Sequence, residues 1–512
     1  MSDLLIGHDV GTGGSKAVLA DTDGNVIARA FEPYEVKYPR PGFAEQDPQD
    51  YWRAVTTNTR QLLADSGVDP ASVKGLGFAG QMLTFVPVDA EGNPLRPAIT
   101  WLDSRADEQA SRLIRKLGGK HIFSLVAGAL PSGKDVVCKI AWLKQNEPDL
   151  FRETHAFLDV AGYLVNRATG EFSMDDTGAG GTGILTRDRN WSKTLLRVTG
   201  LPIEKMAPIR RSTDVVGGLS EEASRYMGLP EGTPVIAGMS DIPAAATGSG
   251  ALHDGDAHVY LGTSSWLCLS VAKPKNLPRN GIVSVASPDP SMYIMIGESE
   301  TAGLCLEWFA DKLLTPEERK AAESSEGGVY AFLDREATDV YPGSKRLLFM
   351  PWMFGERAPV TDTTVRGGYL NLSLGHDRDH MLRAIYEGVA YNLRWMIDEV
   401  ARAGLGSGML RAIGGGARSD LWMQVIADVT SRRIEAVDNP QEAGALGCAL
   451  AVAVGLGVFE RYTDIKRAVK VRQTFEPDPE RSREYDLLYG EFRRAYPALS
   501  KAGRRLNTIQ TQ

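Results

Sequence analysis

The sequence predicts an α/β fold built from two related lobes, and three observations carry that prediction. Short apolar runs joined by Gly and Asp-Gly turns open the chain as a β-meander. Helix-like and strand-like segments then alternate. Half a chain later the opening pattern returns: Val10-Gly-Thr-Gly-Gly is echoed by Leu261-Gly-Thr-Ser-Ser, with Gly11 and Gly262 standing 251 residues apart in a chain of 512. That spacing suits a duplicated lobe and is far too long for a solenoid repeat. The expected division is residues 1–250 and 251–512.

Leu4 to Val10 reads as the first strand, and the loop Gly11-Thr12-Gly13-Gly14-Ser15-Lys16 leads into a second, Ala17 to Ala20. Asp23-Gly24-Asn25 turns the chain into a third, Val26 to Phe31. The glycine-rich loop therefore joins strand to strand. Two familiar phosphate motifs both open a helix, and neither fits, because Lys16 follows Ser15 and occupies the place of a third glycine. Pro48 to Ala64 spaces Trp52, Val55, Leu62 and Leu63 as a helix does, and Val73 to Phe78 follows as a buried strand.

Val235 to Met239 reads as another apolar strand, leading into a helix of small residues from Ile242 to Ala251. Ala257 to Leu261 and Trp266 to Val271 flank the second Gly-Thr turn. Asp377 to Ala401 predicts a long amphipathic helix with acids in its first turn. Leu410 to Ile413 is a short strand running into Gly414-Gly415-Gly416. Gly444 to Phe459 is uncharged but falls short of the ~20 residues a membrane-spanning helix needs, so it reads as a buried, closely packed helix. In the tail, Tyr485, Leu487, Leu488, Phe492 and Tyr496 stand at helical spacing. Packing of that stripe on its own lobe is the preferred reading, and a homodimer the other.

Lys plus Arg number 57 against 65 Asp plus Glu, a net charge of -8. Such a surface offers nucleic-acid phosphates no electrostatic footprint, and no nucleic-acid or membrane partner is expected. The N-terminal segment has no basic flank and carries Asp3 and Asp9, unlike a signal peptide. Cys138, Cys268, Cys305 and Cys448 are scattered, which argues against a disulfide framework or a zinc cluster and for a reducing cytoplasm.

Three places could carry chemistry. Asp9 with Gly11, Thr12 and Gly13, mirrored by Gly262, Thr263 and Ser264, offers backbone N–H groups and hydroxyls to a polyphosphate, with a carboxylate beside them for water on a magnesium ion; a pair of tight hairpins is the plainer alternative. Asp241 follows an apolar strand, where ligands of α/β sheets collect, and could take a proton from an attacking hydroxyl or simply cap a helix together with Ser240. Gly414-Gly415-Gly416-Ala417-Arg418-Ser419 would let a flat base or ribose lie against backbone. His376 and His380 stand four apart without the Glu of a zincin motif, and read as a solvated first helical turn.

Further segments join these in a consistent order: Ile6-Gly-His-Asp9-Val-Gly-Thr, Gly77-Phe-Ala-Gly-Gln81-Met82, Ile99-Thr-Trp101-Leu-Asp103-Ser-Arg105, Lys139-Ile-Ala-Trp142, Ala237-Gly-Met-Ser-Asp241, Gly355-Glu356-Arg357-Ala358-Pro359, and Ala443-Gly444-Ala-Leu-Gly447 after the Gly414 loop. From Ile6 to about Gly457 the chain resembles the FGGY carbohydrate kinases, within the larger group of sugar kinases, actin and heat-shock chaperone ATPases, and among FGGY members most the xylulose kinases. The resemblance implies a two-lobed actin-like ATPase (ribonuclease H-like) fold, each lobe a mixed sheet flanked by helices. It implies ATP-dependent phosphorylation of a hydroxyl of a small sugar, D-xylulose or a related ketopentose, giving the sugar 5-phosphate and ADP.

By the same resemblance Asp241 is the catalytic base, with Gln81, Met82, Trp101 and Asp103 on the sugar side. Gly11, Thr12, Gly13, Lys16, Gly262, Thr263 and Ser264 hold the ATP phosphates, Asp9 positions hydrated Mg2+, and Gly415, Gly416, Ala417 and Ser419 face adenosine. Lobe closure would exclude water. Three positions depart from the family pattern. His8 stands where an apolar residue is usual, and the stretch from Lys134 to Cys138 lacks the expected Ser, Thr or Pro. Leu83 replaces the His that xylulose kinases usually place after Gly-Gln-Met to hydrogen-bond the sugar. Kinases of glycerol, ribulose or gluconate are the alternatives within the family. A sugar-free actin-like or chaperone-like ATPase is the remote one, against which the Gln81-Met82 and Trp101-Leu-Asp103 segments speak.

Overall fold

A computed structural model of the chain describes residues 3–116, 119, 131–406 and 408–507. It divides into two compact units. One holds Met1–Leu252, Val285–Ile294 and Glu442–Val469; the other holds His253–Ser284, Met295–Gln441 and Lys470–Gln512.

The first unit opens with the meander that the Gly turns predict: β1 (Leu4–Val10), β2 (Gly14–Asp21) and β3 (Val26–Pro33), antiparallel in sequence. The first loop is shorter than the sequence suggests. Pairing resumes at Gly14, so Ser15 and Lys16 are strand residues opposite Val10 and Asp9. The helix Pro48–Ser66 starts at Asp47, whose side chain accepts from Gln49 N, buries Tyr51, Trp52, Val55 and Leu62, and ends at a left-handed Gly67. It leads to β4 (Val73–Gly80), parallel to β1.

Farther along come β5 (Val215–Gly218), β6 (Pro234–Ile236) and β7 (Met239–Ser240), giving the order β5-β6-β4-β1-β2-β3 with β7 also paired to β4. The sequence suggests one continuous strand from Val235 to Met239, and the structure breaks it. Ala237 N donates to Asp214 O at 2.8 Å and Gly238 N to Ser212 O at 3.2 Å, with Gly238 at φ +84°. This sidestep, open to a residue without Cβ, lets β7 resume beside the carboxyl end of β4.

The second unit repeats the scheme with β8 (Ala257–Leu261), β9 (Ser265–Val271), β10 (Ile282–Ala286), β11 (Tyr293–Ser299), β12 (Met409–Ile413), β13 (Arg433–Val437) and β14 (Val471–Phe475). Their order is β10-β11-β9-β8-β12-β13-β14. In both units the first strand pairs antiparallel with the second across a Gly-Thr turn and parallel with a later strand, and an antiparallel strand closes the parallel side. The duplicated lobe read from the Gly-Thr repeat is thus present as duplicated topology.

The helix Arg378–Arg402 begins at Asp377, whose carboxylate accepts from His380 N and bonds the His380 ring, while His376 Nδ1 accepts from Ser373 N. The two histidines therefore tie down a helix start. Among the described residues no group of three or more His, Cys, Asp or Glu could hold a metal ion. The buried helix Ala443–Gly455 returns to the first unit and packs on β1 and on the helix Asp241–Ser249. Its approach is close: a Cβ on Gly248 would lie 1.7 Å from Ala443 O.

The tail helix Pro479–Asn507 buries Tyr485, Leu488 and Phe492 in its own unit, with Tyr485 Oη donating to Glu387 at 3.0 Å. Residues 508–512 of the predicted tail lie outside the described residues. All four cysteines are buried and unpaired, and among the described residues no helix is long and apolar enough to cross a membrane.

Candidate active site

Strands β1, β4 and β7 are parallel neighbours that end side by side. Three predicted segments therefore converge at adjacent carboxyl ends: Gly11–Gly13 after β1, Gln81–Leu83 after β4 and Asp241 after β7. This is the edge of an α/β sheet where ligands bind. Gln81 N donates to Val10 O at 3.0 Å, which knits the first two ends together. Asp241 Oδ1 accepts from Met82 N at 3.2 Å and from Ile242 N at 2.9 Å, so backbone donors from two of the ends orient its half-buried carboxylate. Ser240 occupies the cap position without a side-chain capping bond, and its N–H donates to Thr177 Oγ1 at 2.8 Å.

The first loop is held from several sides. Tyr34 Oη donates to Gly11 O at 2.6 Å, Gln46 Nε2 to Thr12 O at 2.8 Å, and Trp101 Nε1 to Thr12 Oγ1 at 2.8 Å. Gly13 at the tip is exposed. Asp9 lies one residue before the end of β1, facing Lys16 across the β1–β2 ladder. Burial pushes its carboxyl above the ordinary value, and the Lys16 charge pulls the other way. The carboxylate rests against Gly444, where a Cβ would come within 2.3 Å of Asp9 Oδ2. Ala443–Gly447, which follows the Gly414 loop in the order of motifs, is thus placed beside Asp9 in the first unit.

Of the residues predicted for the sugar side, Met82 and Trp101 are half-buried, whereas Gln81 is 1% and Asp103 0% exposed. Gln81 Nε2 donates to Gln46 Oε1 at 2.7 Å, and Tyr51 Oη donates to the same oxygen at 2.9 Å. Asp103 Oδ2 accepts from Ala44 N and from Arg105, both at 2.7 Å, and its Oδ1 accepts from Arg105 N at 2.9 Å. The carboxylate of Asp103 is thus spent inside the protein, whereas Gln81 Oε1 is buried without a hydrogen-bond partner.

In the second unit, Gly262–Ser264 joins β8 to β9 with Thr263 exposed at its tip. The carbonyl of Gly262 accepts from Gly303 N at 2.9 Å, and that of Thr263 from Ala302 N and Leu304 N at 2.8 and 3.1 Å. Beside it, β12 is followed by Gly414, whose N–H donates to Pro440 O at 2.7 Å, and then by a single turn over Gly415–Arg418. Gly415 and Gly416 are half-buried, Ala417 is fully buried, and Ser419 caps the helix Asp420–Thr430 by accepting from Trp422 N at 3.0 Å. The neighbouring registers of β8 and β12 bring the second Gly-Thr loop and the triple-glycine loop together.

Sequence reasoning misses Gln46, Tyr34, Tyr51 and the Ala302–Leu304 turn. Gln46 lies on a two-residue strand with no periodic pattern to mark it. Only its neighbours in space, Gln81 and Thr12, reveal that it links two loops 69 residues apart.

Residues 4–248 match the N-terminal domain, and residues 257–456 the C-terminal domain, of the FGGY family of carbohydrate kinases. The chain belongs to that family. Similar curated relatives include the xylulose kinase of Bacillus subtilis, 31% identical with 96% of each chain covered, and the gluconokinase of the same organism, 26% identical over 95% of this chain and 94% of the relative. The crystal structure of xylulose kinase from Rhodospirillum rubrum superposes with a TM-score of 0.86 at 28% identity, covering 98% of this chain and 100% of that one. The two-lobed α/β architecture of FGGY kinases, of the actin-like ATPase type, is accordingly the fold of this chain. This FGGY kinase is an ATP-dependent sugar phosphotransferase, and the sugar-free ATPase reading is set aside.

Proposed function

We propose that this kinase phosphorylates a ketopentose, D-xylulose foremost, at its terminal hydroxyl, releasing the 5-phosphate and ADP. The observation that carries the reading is the seat of Asp241: its carboxylate is oriented by Met82 N and Ile242 N where three strand ends meet. Asp241 takes the hydroxyl proton as the sugar oxygen bonds to the γ-phosphorus and the bond to the ADP oxygen breaks. Met82 and Trp101 contact the sugar. Gln81 and Asp103 serve it from behind, through Gln46 and through the Ala44 and Arg105 contacts. The names of the xylulose kinase relatives support the choice of sugar. The gluconokinase relative, together with Leu83 in place of His, supports gluconate as the second reading.

In the first unit, Gly11, Thr12, Gly13 and Lys16 bind phosphate. In the second, Gly262, Thr263 and Ser264 bind phosphate, and Gly415, Gly416, Ala417 and Ser419 form the adenosine side, Ala417 and Ser419 by shaping the turn. The donor set suits magnesium, which keeps several waters and takes one or two carboxylates plus substrate phosphates. Asp9, half-buried against Gly444, is that single carboxylate. Bound Mg2+ would neutralise charge on the phosphates. Four buried, unpaired cysteines support a cytoplasmic setting. Of the tail's apolar stripe, Tyr485, Leu488 and Phe492 are covered by its own unit while Leu487 is exposed, so a second subunit has little of the stripe left to dock on.

A coupled ADP-release screen over ketopentoses, polyols and sugar acids tests the substrate. Asp241→Asn tests the base, and is expected to lower kcat by at least ~1000-fold while leaving nucleotide binding within about twofold. Unimpaired turnover would discard the assignment.

A further inference from the structure

Lys139 lies in the helix Val136–Asn146 and is 0% exposed. Its Nζ donates to two backbone carbonyls, Thr100 O at 2.7 Å and Leu83 O at 3.0 Å. Burying an ammonium group is costly unless its partners are well placed. Burial pushes this one down to about 7, with the charges of Asp103 and Asp135 acting in the opposite direction. The helix positions around it, Val136, Val137, Ile140 and Leu143, fill an apolar cluster. A methionine would pack there as well without the desolvation penalty, so packing does not account for the lysine.

What the lysine adds is two hydrogen bonds at the ends of two segments that also meet through Trp101 N and Thr84 Oγ1 at 3.1 Å and through the paired backbone of Phe85 and Ile99. Leu83 follows Met82 and holds φ at +60°, a left-handed conformation unfavourable for a branched side chain. Thr100 precedes Trp101, whose ring nitrogen donates to Thr12. We propose that Lys139 is a positioning residue for the acceptor side of the reaction. It fixes the Met82–Leu83 turn against the Thr100–Trp101 turn, and thereby sets the KM for sugar and the choice among sugars. This rests on the sugar-side reading of those two turns given above.

The test compares the full-length wild type with Lys139→Met and Lys139→Gln by coupled ADP release, and by deuterium exchange of backbone amides. Lys139→Met is expected to raise the KM for sugar at least tenfold and to change the ratio of kcat/KM between two accepted sugars at least threefold. The KM for ATP should stay within twofold. Exchange should rise at residues 82–84 and 100–103 and stay unchanged in β1. Lys139→Gln, which keeps two N–H donors, should recover part of each effect, and carries the same criteria if the Met variant does not fold. Sugar KM and selectivity unchanged within twofold would overturn the proposal. So would a parallel rise in both KM values with faster exchange throughout, the pattern of a merely structural residue. A wild type that turns over no sugar in the panel defeats the substrate reading instead, and the exchange data still decide whether Lys139 fixes the two turns.

Discussion

Trp101 Nε1 donates a 2.8 Å hydrogen bond to Thr12 Oγ1, joining the segment proposed for the sugar directly to the Gly-Thr loop proposed for phosphate. The bond occupies a lone pair of the hydroxyl and leaves its proton to be donated onward, the polarity a phosphate oxygen requires. Trp101→Phe keeps an aromatic ring and removes only the donor. One neutral hydrogen bond is worth about 1 kcal/mol, so kcat/KM should fall roughly fivefold. Thr12→Val should cost more. Once the hydroxyl is gone Trp101 has lost that partner, so the double variant should be little worse than Thr12→Val alone. Fully additive losses in a double-mutant cycle would show that the two side chains act independently.

Much of this arrangement is legible from residue order alone. The meander, the two Gly-Thr turns and the position of Asp241 just after an apolar strand follow from local chemistry, because turn residues and periodic burial are local signals. The sidestep at Ala237–Gly238 is not, since the bonds that cause it come from Ser212 and Asp214. Nor is the return of Ala443–Gly455 to the first unit. A uniformly apolar helix says that it is buried but not against which sheet, and only Gly444 and Gly447 hint at a close neighbour. Gln81 and Asp103 are marked by motif, yet their burial is tertiary: Gln46 accepts from Gln81 Nε2, and Ala44 and Arg105 donate to the Asp103 carboxylate.

A buried acid pair makes stability depend on pH. The carboxylates of Asp159 and Asp175 both face Gly178, and both are raised above their ordinary values by burial, Asp175 also by the charges of Asp159 and Asp176. With both ionised, Asp175 Oδ2 has no donor; a proton on one of the pair supplies it. Asp176 is compensated by Arg189 and by Ser212. An acid whose folded pKa exceeds its unfolded value binds its proton more tightly when folded, so its contribution is complete on the acid side and declines as pH rises past ~4. Asp175→Asn supplies a permanent N–H while its oxygen can still accept from Thr177 N and Gly178 N. The variant should gain about 1 kcal/mol or more at pH 8, ~2–4 °C in Tm for units of this size, and nothing at pH 4. Equal Tm shifts at both pH values would refute the shared proton.

Leu83 is half-buried, left-handed, and packs its side chain against the apolar cluster of Phe85, Val136 and Ile140. Histidine is among the residues that tolerate this backbone conformation, so Leu83→His should fold. A site that gains a donor for a substrate hydroxyl favours the substrate that carries it. Relative kcat/KM for D-xylulose over gluconate should therefore rise, by roughly tenfold. An unchanged ratio would show that position 83 does not govern the choice.

Gly444 leaves no room for a side chain beside Asp9, because a Cβ at 444 would stand 2.3 Å from a carboxylate oxygen. Ala exceeds Gly in helix propensity by about 1 kcal/mol, and Gly490→Ala, with nothing within 4 Å of the added carbon, should show that gain as a slightly higher Tm. Gly444→Ala should do the reverse, since the methyl can be seated only by displacing the Asp9 carboxylate or the helix behind it. Turnover should fall at least ~10-fold, and the Mg2+ concentration for half-maximal rate should rise, as a misplaced carboxylate no longer meets the ion's water shell. Wild-type turnover and Mg2+ dependence in Gly444→Ala would mean that the exact seat of Asp9 is immaterial, and would remove Asp9 from the catalytic assignment.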